Sequence, residues 1–252
     1  MSTQGTAVVT GAGQGLGRAI ATRLASDGYE VLCVDVDGDH AAATASAIGG
    51  RSAVVDVSVP EQVASLGELA PECTVLVNNA AIQRYRDFMT TTVDDMRSIL
   101  DINIMGPILV AQALVPAIER NGGGSIVNLS SITSVAHPAG ASLYPASKAA
   151  INEITMGMAV EFADKGIRCN AVAPGTVLTE GTAGHYGTEA ARAAIAKCLP
   201  VGRFGEPDDI AKAVSWLCSD ESSWVTGQVI FVDGGFTASH GQYFRAARKA
   251  VL

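Results

Sequence analysis

Apolar residues fall along this chain in short, largely continuous runs, separated by stretches whose apolar positions recur every three to four residues. The runs lie at 6–10, 30–34, 51–56, 74–77, 125–129, 168–173 and 228–232. A strand with one wet face alternates apolar and polar side chains, so near-continuous runs predict strands buried on both faces. Helical periodicity occupies 16–26, 41–47, 60–69, 93–119, 145–164, 189–198 and 207–217. Strand and helix alternate throughout, which predicts an α/β fold: a parallel sheet with helices on both faces. No repeat, low-complexity segment or Pro/Ser-rich linker breaks the pattern. Residues 1–252 therefore read as a single domain with a tail at about 237–252, more basic from Gly241 onward.

Composition narrows the function classes. With 48% apolar and 17% charged residues the chain can bury a substantial core. Its net charge of −8, with no block of Lys or Arg, argues against nucleic acid and against an anionic membrane surface. Five cysteines form an odd set with no CxxC pair, and Cys33 and Cys169 fall inside apolar runs. They read as small buried side chains in a reducing compartment. No metal-ligand spacing is visible among cysteines and histidines. The N-terminus lacks a charged segment followed by a long apolar one, and no unbroken run approaches the roughly 18 apolar residues of a membrane span. The expectation is a soluble, cytoplasmic protein without metal.

Directly after the first strand comes Thr10-Gly11-Ala12-Gly13-Gln14-Gly15-Leu16-Gly17, which leads into the periodic 18–24 segment. A glycine-rich turn between strand and helix lets a pyrophosphate approach the backbone at the helix N-terminus. No Gly-Lys-Ser/Thr follows, which excludes a triphosphatase phosphate loop. Asp35 ends the second run, about 20 residues on, where an acidic side chain can accept hydrogen bonds from ribose hydroxyls. A 2′-phosphate there would face Asp35, with Asp37 and Asp39 near in sequence. Position 14 is Gln, and Arg18 is the one nearby cation. Charge repulsion therefore favours NAD over NADP.

Tyr144 and Lys148 lie four residues apart, just over one helical turn, and so share a helix face. A phenol with a reference pKa of about 10 is a poor acid-base group at neutral pH, and an adjacent ammonium favours its phenolate. The motifs at 10–17, Asn78-Asn79-Ala80-Ala81, Asn103, Ser131, Tyr144-x-x-x-Lys148, Pro174-Gly175 and Val232-Asp233-Gly234-Gly235 together resemble the short-chain dehydrogenases/reductases, from residue 5 to about 236. Ser131 precedes Tyr144 by thirteen positions, as in that family.

The resemblance implies a Rossmann-type doubly wound fold and hydride exchange between a secondary alcohol or ketone and NAD. It implies Tyr144 as the acid-base, Ser131 as hydrogen-bond partner of the substrate oxygen, and Lys148 as ligand of the nicotinamide ribose. Asn103 would distort its helix and anchor a water in a proton relay. Besides Gly11, Gln14, Gly15, Leu16, Gly17 and Asp35, the implied cofactor contacts are Asp56, Val57, Asn79, Ala80, Tyr144, Lys148, Pro174, Gly175, Val177 and Thr179. Two long helices, 93–119 and 145–164, imply a homotetramer. Read on their own residues, Ser130 or Ser131 could instead cap a turn, and Asn103 could be a surface amide.

Pro107 is expected to kink the 93–119 helix near Asn103. Ala81 stands where the family commonly has glycine. The substrate is less defined. A glycine-rich stretch after Thr179 suits a mobile lid. His137, His185, Tyr186, Gln83, Arg84 and Arg86 could face a polar ligand, which suggests a sugar, polyol or small hydroxy compound. Alternatives are a hydroxysteroid or cyclic-alcohol dehydrogenase, a 3-oxoacyl reductase, or a non-catalytic NAD-binding regulator.

Overall fold

The computed structural model describes residues 4–84, 86–138 and 140–239, so the basic tail from Gly241 lies outside the described residues. Within those residues seven strands, β1 (Thr6–Thr10), β2 (Glu30–Asp35), β3 (Arg51–Val54), β4 (Cys73–Asn78), β5 (Gly124–Leu129), β6 (Ile167–Pro174) and β7 (Val229–Val232), form one sheet. Their order is β3-β2-β1-β4-β5-β6-β7, parallel throughout.

Among the described residues nine α-helices connect or cover them: α1 (Gly15–Ser26), α2 (Gly38–Ile48), α3 (Pro60–Val63), α4 (Leu66–Leu69), α5 (Val93–Leu100), α6 (Gly106–Arg120), α7 (Leu143–Glu161), α8 (Glu189–Cys198) and α9 (Pro207–Cys218). Val8, Leu32, Leu76 and Ile126 point into a core with α3, α4, α6 and α7. Their neighbours Ala7, Val9, Val31, Cys33, Val75, Val77 and Val127 point into a second core with α1, α2 and α9. The two-residue period of a strand thus fills both faces of the central strands, which is why their runs do not alternate. The edge strand β3, against the sequence expectation, is mostly exposed.

Strand order reverses between β1 and β4, and a crevice opens beyond the carboxyl ends of strands at such a switch point. The glycine turn leaves β1 there, and the Asn78-Asn79 turn leaves β4.

Several elements differ from the sequence pattern. β3 stops at Val54, two residues short. The 60–69 segment is two four-residue helices, α3 and α4. The 93–119 segment is broken by a π-turn, Asp101–Met105, in which the Gly106 N–H donates to the Asp101 carbonyl five residues back. An α-helix would pair the Asn103 carbonyl with the N–H of residue 107, but Pro107 has none. The distortion is therefore a bulge centred on Asn103 and not a simple proline kink.

The whole stretch Val93–Arg120 is 28 residues long with a mean hydropathy of 1.7 in its most apolar window, enough by length and composition to cross a membrane. Asp101, Asn103 and Gln112 hide this from a search for unbroken runs. About 44% of that window is buried, with Val110, Ala111, Leu114 and Ile118 packed into the core.

Candidate active site

At the switch point lies a cavity of about 450 Å³, lined by residues of the glycine turn, the ends of β2, β4 and β5, α7 and the segment that follows β6, whereas the 232–235 motif lies outside it. Of the sequence-predicted set, Gly11, Gln14, Leu16, Gly17, Asp35, Asp56, Val57, Asn79, Ala80, Ser131, Tyr144, Lys148, Pro174, Gly175, Val177 and Thr179 line it. Gly15 does not; it faces a groove on the far side of the turn, with Thr179 Cβ 3.7 Å from where its own Cβ would stand. Asn103 is fully buried behind the wall.

The glycine turn is shaped by close backbone approach. A Cβ at Gly17 would stand 2.0 Å from the Gly11 carbonyl oxygen, and Gly11 has φ +63°. Both features favour glycine. Asn79 Nδ2 donates to the Thr10 and Gly11 carbonyls at 2.9 and 3.0 Å, while Thr10 Oγ1 accepts from the N–H groups of Asn79 and Ala80. The Asn79 amide therefore clamps the two turns together. Gln14 caps α1 in extended conformation without a side-chain hydrogen bond, so Leu16 and Gly17 present the helix N-terminus to the cavity. This open cradle fits the pyrophosphate of a dinucleotide.

Asp35 is fixed at the other end. Its Oδ2 accepts from Gly13 N at 2.8 Å and its Oδ1 from Asp37 N at 3.0 Å. Arg18 turns away: Nη2 and Nε donate to the Gly13 carbonyl at 2.8 and 3.2 Å, and Nη1 reaches Glu180 at 3.3 Å. The cation nearest in sequence is thus committed elsewhere.

β5 and α7 supply the remaining polar wall. Lys148 is 4% exposed, its Nζ donates to the Leu129 carbonyl at 2.7 Å, and it lies 5.7 Å from the Tyr144 ring centroid. Burial pushes the Lys148 ammonium down to about 8. Ser130 Oγ donates to Asn152 Oδ1 at 2.6 Å and packs on the Lys148 carbonyl, tying the end of β5 to α7. Ser131 lines the cavity and its side chain also caps the 3-10 turn Ile132–Ser134.

Asn103 is no surface amide. Its Oδ1 accepts from Ile82 N, and its Nδ2 donates to the Ile82 carbonyl and to Ser147 Oγ, at 2.9 to 3.1 Å. It joins the π-turn, the segment after β4 and α7. Ala81 has a negative φ and sits exposed at the cavity rim, so the extra methyl group causes no backbone strain.

The candidate substrate residues separate. Gln83 and Tyr186 line the cavity, the latter edge-on to Phe204 at 5.0 Å. Arg84 and Arg86 do not; both turn to Asp95, at 3.8 and 2.9 Å. Asp95 is buried in the cap of α5 and attracts them there. His137 is exposed and does not line the cavity, and the side chain of His185 lies outside the described residues. Ser130 lines the cavity beside Ser131, and so do Ile102 and Thr182, which no motif marks. Burial pushes the thiols of Cys33 to about 11 and of Cys73, Cys169 and Cys218 to about 12, which makes them inert packing groups.

A parallel doubly wound sheet with a dinucleotide cradle and a Ser-Tyr-Lys wall at its switch point defines a class of nicotinamide-dependent oxidoreductases. A family profile described as Enoyl-(Acyl carrier protein) reductase matches residues 11–237. An uncharacterised oxidoreductase of Methylorubrum extorquens is 42% identical over 243 residues, covering 91% of this chain and 96% of the relative. The 3beta-hydroxysteroid dehydrogenase 1 of Eggerthella lenta is 37% identical over 250 residues, covering 95% and 96%. A solved gluconate 5-dehydrogenase from Burkholderia cenocepacia, in complex with NADP and tartrate, superposes with a TM-score of 0.87 at 32% identity, covering 94% and 96%. The chain belongs to the short-chain dehydrogenase/reductase family. It is an oxidoreductase acting on hydroxyl or keto groups of small molecules with a nicotinamide cofactor.

Proposed function

We propose that the protein is an NAD-dependent dehydrogenase that interconverts a secondary alcohol and its ketone, with a sugar, polyol or other small hydroxy compound as substrate. The observation that carries the reading is one cavity holding Tyr144, Lys148 and Ser131 on one wall and Asp35 with the glycine turn at its other end. Bound nicotinamide supplies or accepts the hydride. Tyr144 gives or takes the proton on the substrate oxygen, and Ser131 donates a hydrogen bond to that oxygen. The Lys148 ammonium beside the ring favours the phenolate and holds the ribose. The Asn103 carbonyl, with no N–H at position 107 to pair with, holds a relay water.

NAD is favoured because Asp35 faces the cavity while Arg18 is committed to Gly13 and Glu180. The gluconate 5-dehydrogenase binds NADP, so cofactor choice here rests on this chain's own charges. An anionic carboxylate close to a 2′-phosphate costs about 1–4 kcal/mol depending on local screening. Asp35→Ala is therefore expected to narrow the NAD-over-NADP preference in kcat/KM by about tenfold or more. An unchanged ratio would discard the repulsion argument.

Gln83, Thr182 and Tyr186 give the substrate end of the cavity polar groups suited to a hydroxylated ligand. The 37% identical hydroxysteroid dehydrogenase favours a second reading, a hydroxysteroid or cyclic alcohol. A panel of polyols, sugars, hydroxy acids, steroids and cyclic secondary alcohols with NAD, followed by NADH absorbance, decides between them. Turnover of small polar alcohols is the expected result. Cofactor binding with no turnover across the panel would favour a non-catalytic regulator.

We also place the enzyme in the cytoplasm as a homotetramer. Supporting the assembly, Met96, Leu100 and Met105 along α5 and the π-turn, and Met156 and Val160 on α7, are exposed apolar residues on the two long helical segments.

A further inference from the structure

Thr133 lies two residues past Ser131, and both of its donors point back at Ser131 Oγ. Its backbone N–H is 3.1 Å away and its hydroxyl 2.9 Å. The Ser131 backbone is fixed as well, because its carbonyl accepts from Ser134 N at 3.0 Å and from Ser134 Oγ at 2.7 Å. A serine hydroxyl has one proton and two acceptor lone pairs. With two donors on the oxygen, the acceptor capacity is used, and the remaining hydrogen-bonding function is the serine's own O–H. Ser131 lines the same cavity as Tyr144.

We infer that Thr133 is a positioning residue that turns Ser131 from a two-way hydroxyl into a fixed donor aimed at the reacting oxygen of the substrate. The inference rests on the proposed role of Ser131 at that oxygen. Its chemical consequence differs by direction. When a ketone is reduced, the carbonyl oxygen gains negative charge, and a preset donor stabilises that charge without reorienting. When an alcohol is oxidised, an unrestrained Ser131 could accept the alcohol proton and hold it away from Tyr144. With its lone pairs occupied by Thr133, Ser131 cannot accept, so the alcohol proton is left to Tyr144. Nothing in the glycine turn, the Asp35 end or the Tyr144–Lys148 pair requires a hydroxyl at position 133.

Thr133→Val keeps shape and backbone N–H and removes the second donor; Thr133→Ser keeps the donor. With the alcohol that the panel identifies and its ketone, Thr133→Val should lower kcat by about three- to tenfold, the worth of one neutral hydrogen bond. NADH affinity, followed by fluorescence titration, should stay within about twofold, and Thr133→Ser should restore kcat to within about twofold. Added to Ser131→Ala, Thr133→Val should cause no further loss, because its effect runs through the missing hydroxyl. An unchanged kcat in Thr133→Val, an equal loss in the Ser131→Ala background, or failure of Thr133→Ser to restore turnover overturns the inference. A Ser131→Ala variant with intact turnover would overturn the role of Ser131 itself. A large loss in Ser131→Ala with none in Thr133→Val would overturn the role of Thr133 alone.

Discussion

Tyr144→Phe is expected to lower kcat by about 10²- to 10⁴-fold, the usual contribution of a positioned acid-base group. The substitution removes one hydroxyl and leaves the ring where it packs, 8% exposed on α7 and next to Lys148. The cradle at the glycine turn and the Asp35 end do not contact it, so NADH affinity should change by no more than about threefold, under 1 kcal/mol. Steady-state rates read alongside a fluorescence titration separate the two. Equal turnover in wild type and variant would remove Tyr144 from the chemistry.

Lys148→Met should be nearly as damaging to turnover, by about 10²-fold or more, because it deletes the preset cation beside the phenol. Its effect on stability has a distinct pH signature. Burial depresses the Lys148 ammonium from 10.5 to about 8. Below pH 8 both folded and unfolded chains carry the proton, and the folded state bears the full cost of a buried charge. Between about 8 and 10.5 the unfolded chain binds the proton and the folded one does not, so wild-type stability rises with pH. The shift corresponds to roughly 3 kcal/mol.

Methionine abolishes that dependence but leaves the Leu129 carbonyl without its donor, a loss of about 1–3 kcal/mol. At pH 7 the two effects largely offset. The variant's stability relative to wild type should therefore fall by up to roughly 3 kcal/mol as pH rises from 8 to 10.5. Denaturant melts of both proteins at a series of pH values measure it. A difference that stays flat across this window would mean that Lys148 is not buried as a depressed cation.

The parallel sheet was legible because burial on both faces leaves a local trace: the central strands β1, β2, β4, β5 and β6 are predominantly apolar along their whole length, and the runs show it. The edge strand β3, by contrast, is mostly exposed. The Tyr144–Lys148 pair was legible for a similar reason, since one helical turn fixes its geometry. The glycine turn and Asp35 were readable from their places after the first and second strands. The four-residue helices α3 and α4 were not, because neither is long enough to show a helical period. Other losses came from competition for partners. Arg84 and Arg86 look like ligand residues in sequence, yet the buried Asp95 takes both.

By itself the sequence determined the order of elements, the two-faced sheet, and which side chains could bind a dinucleotide or move a proton. Those properties are set by residue type and by spacing within one strand, turn or helix. Only the tertiary structure decided which candidates meet. It placed Ser131 and Tyr144 on one cavity, drew Arg18 to Gly13 and Glu180, used the Asn79 amide as a clamp, and set Thr133 against Ser131. Arg18 and Glu180 lie 162 residues apart, and Asn79 and Thr10 lie 69 apart. Such contacts depend on how the switch point folds the chain back on itself, and hydrogen-bond capacity is spent on whichever partner the fold brings within 3 Å or so.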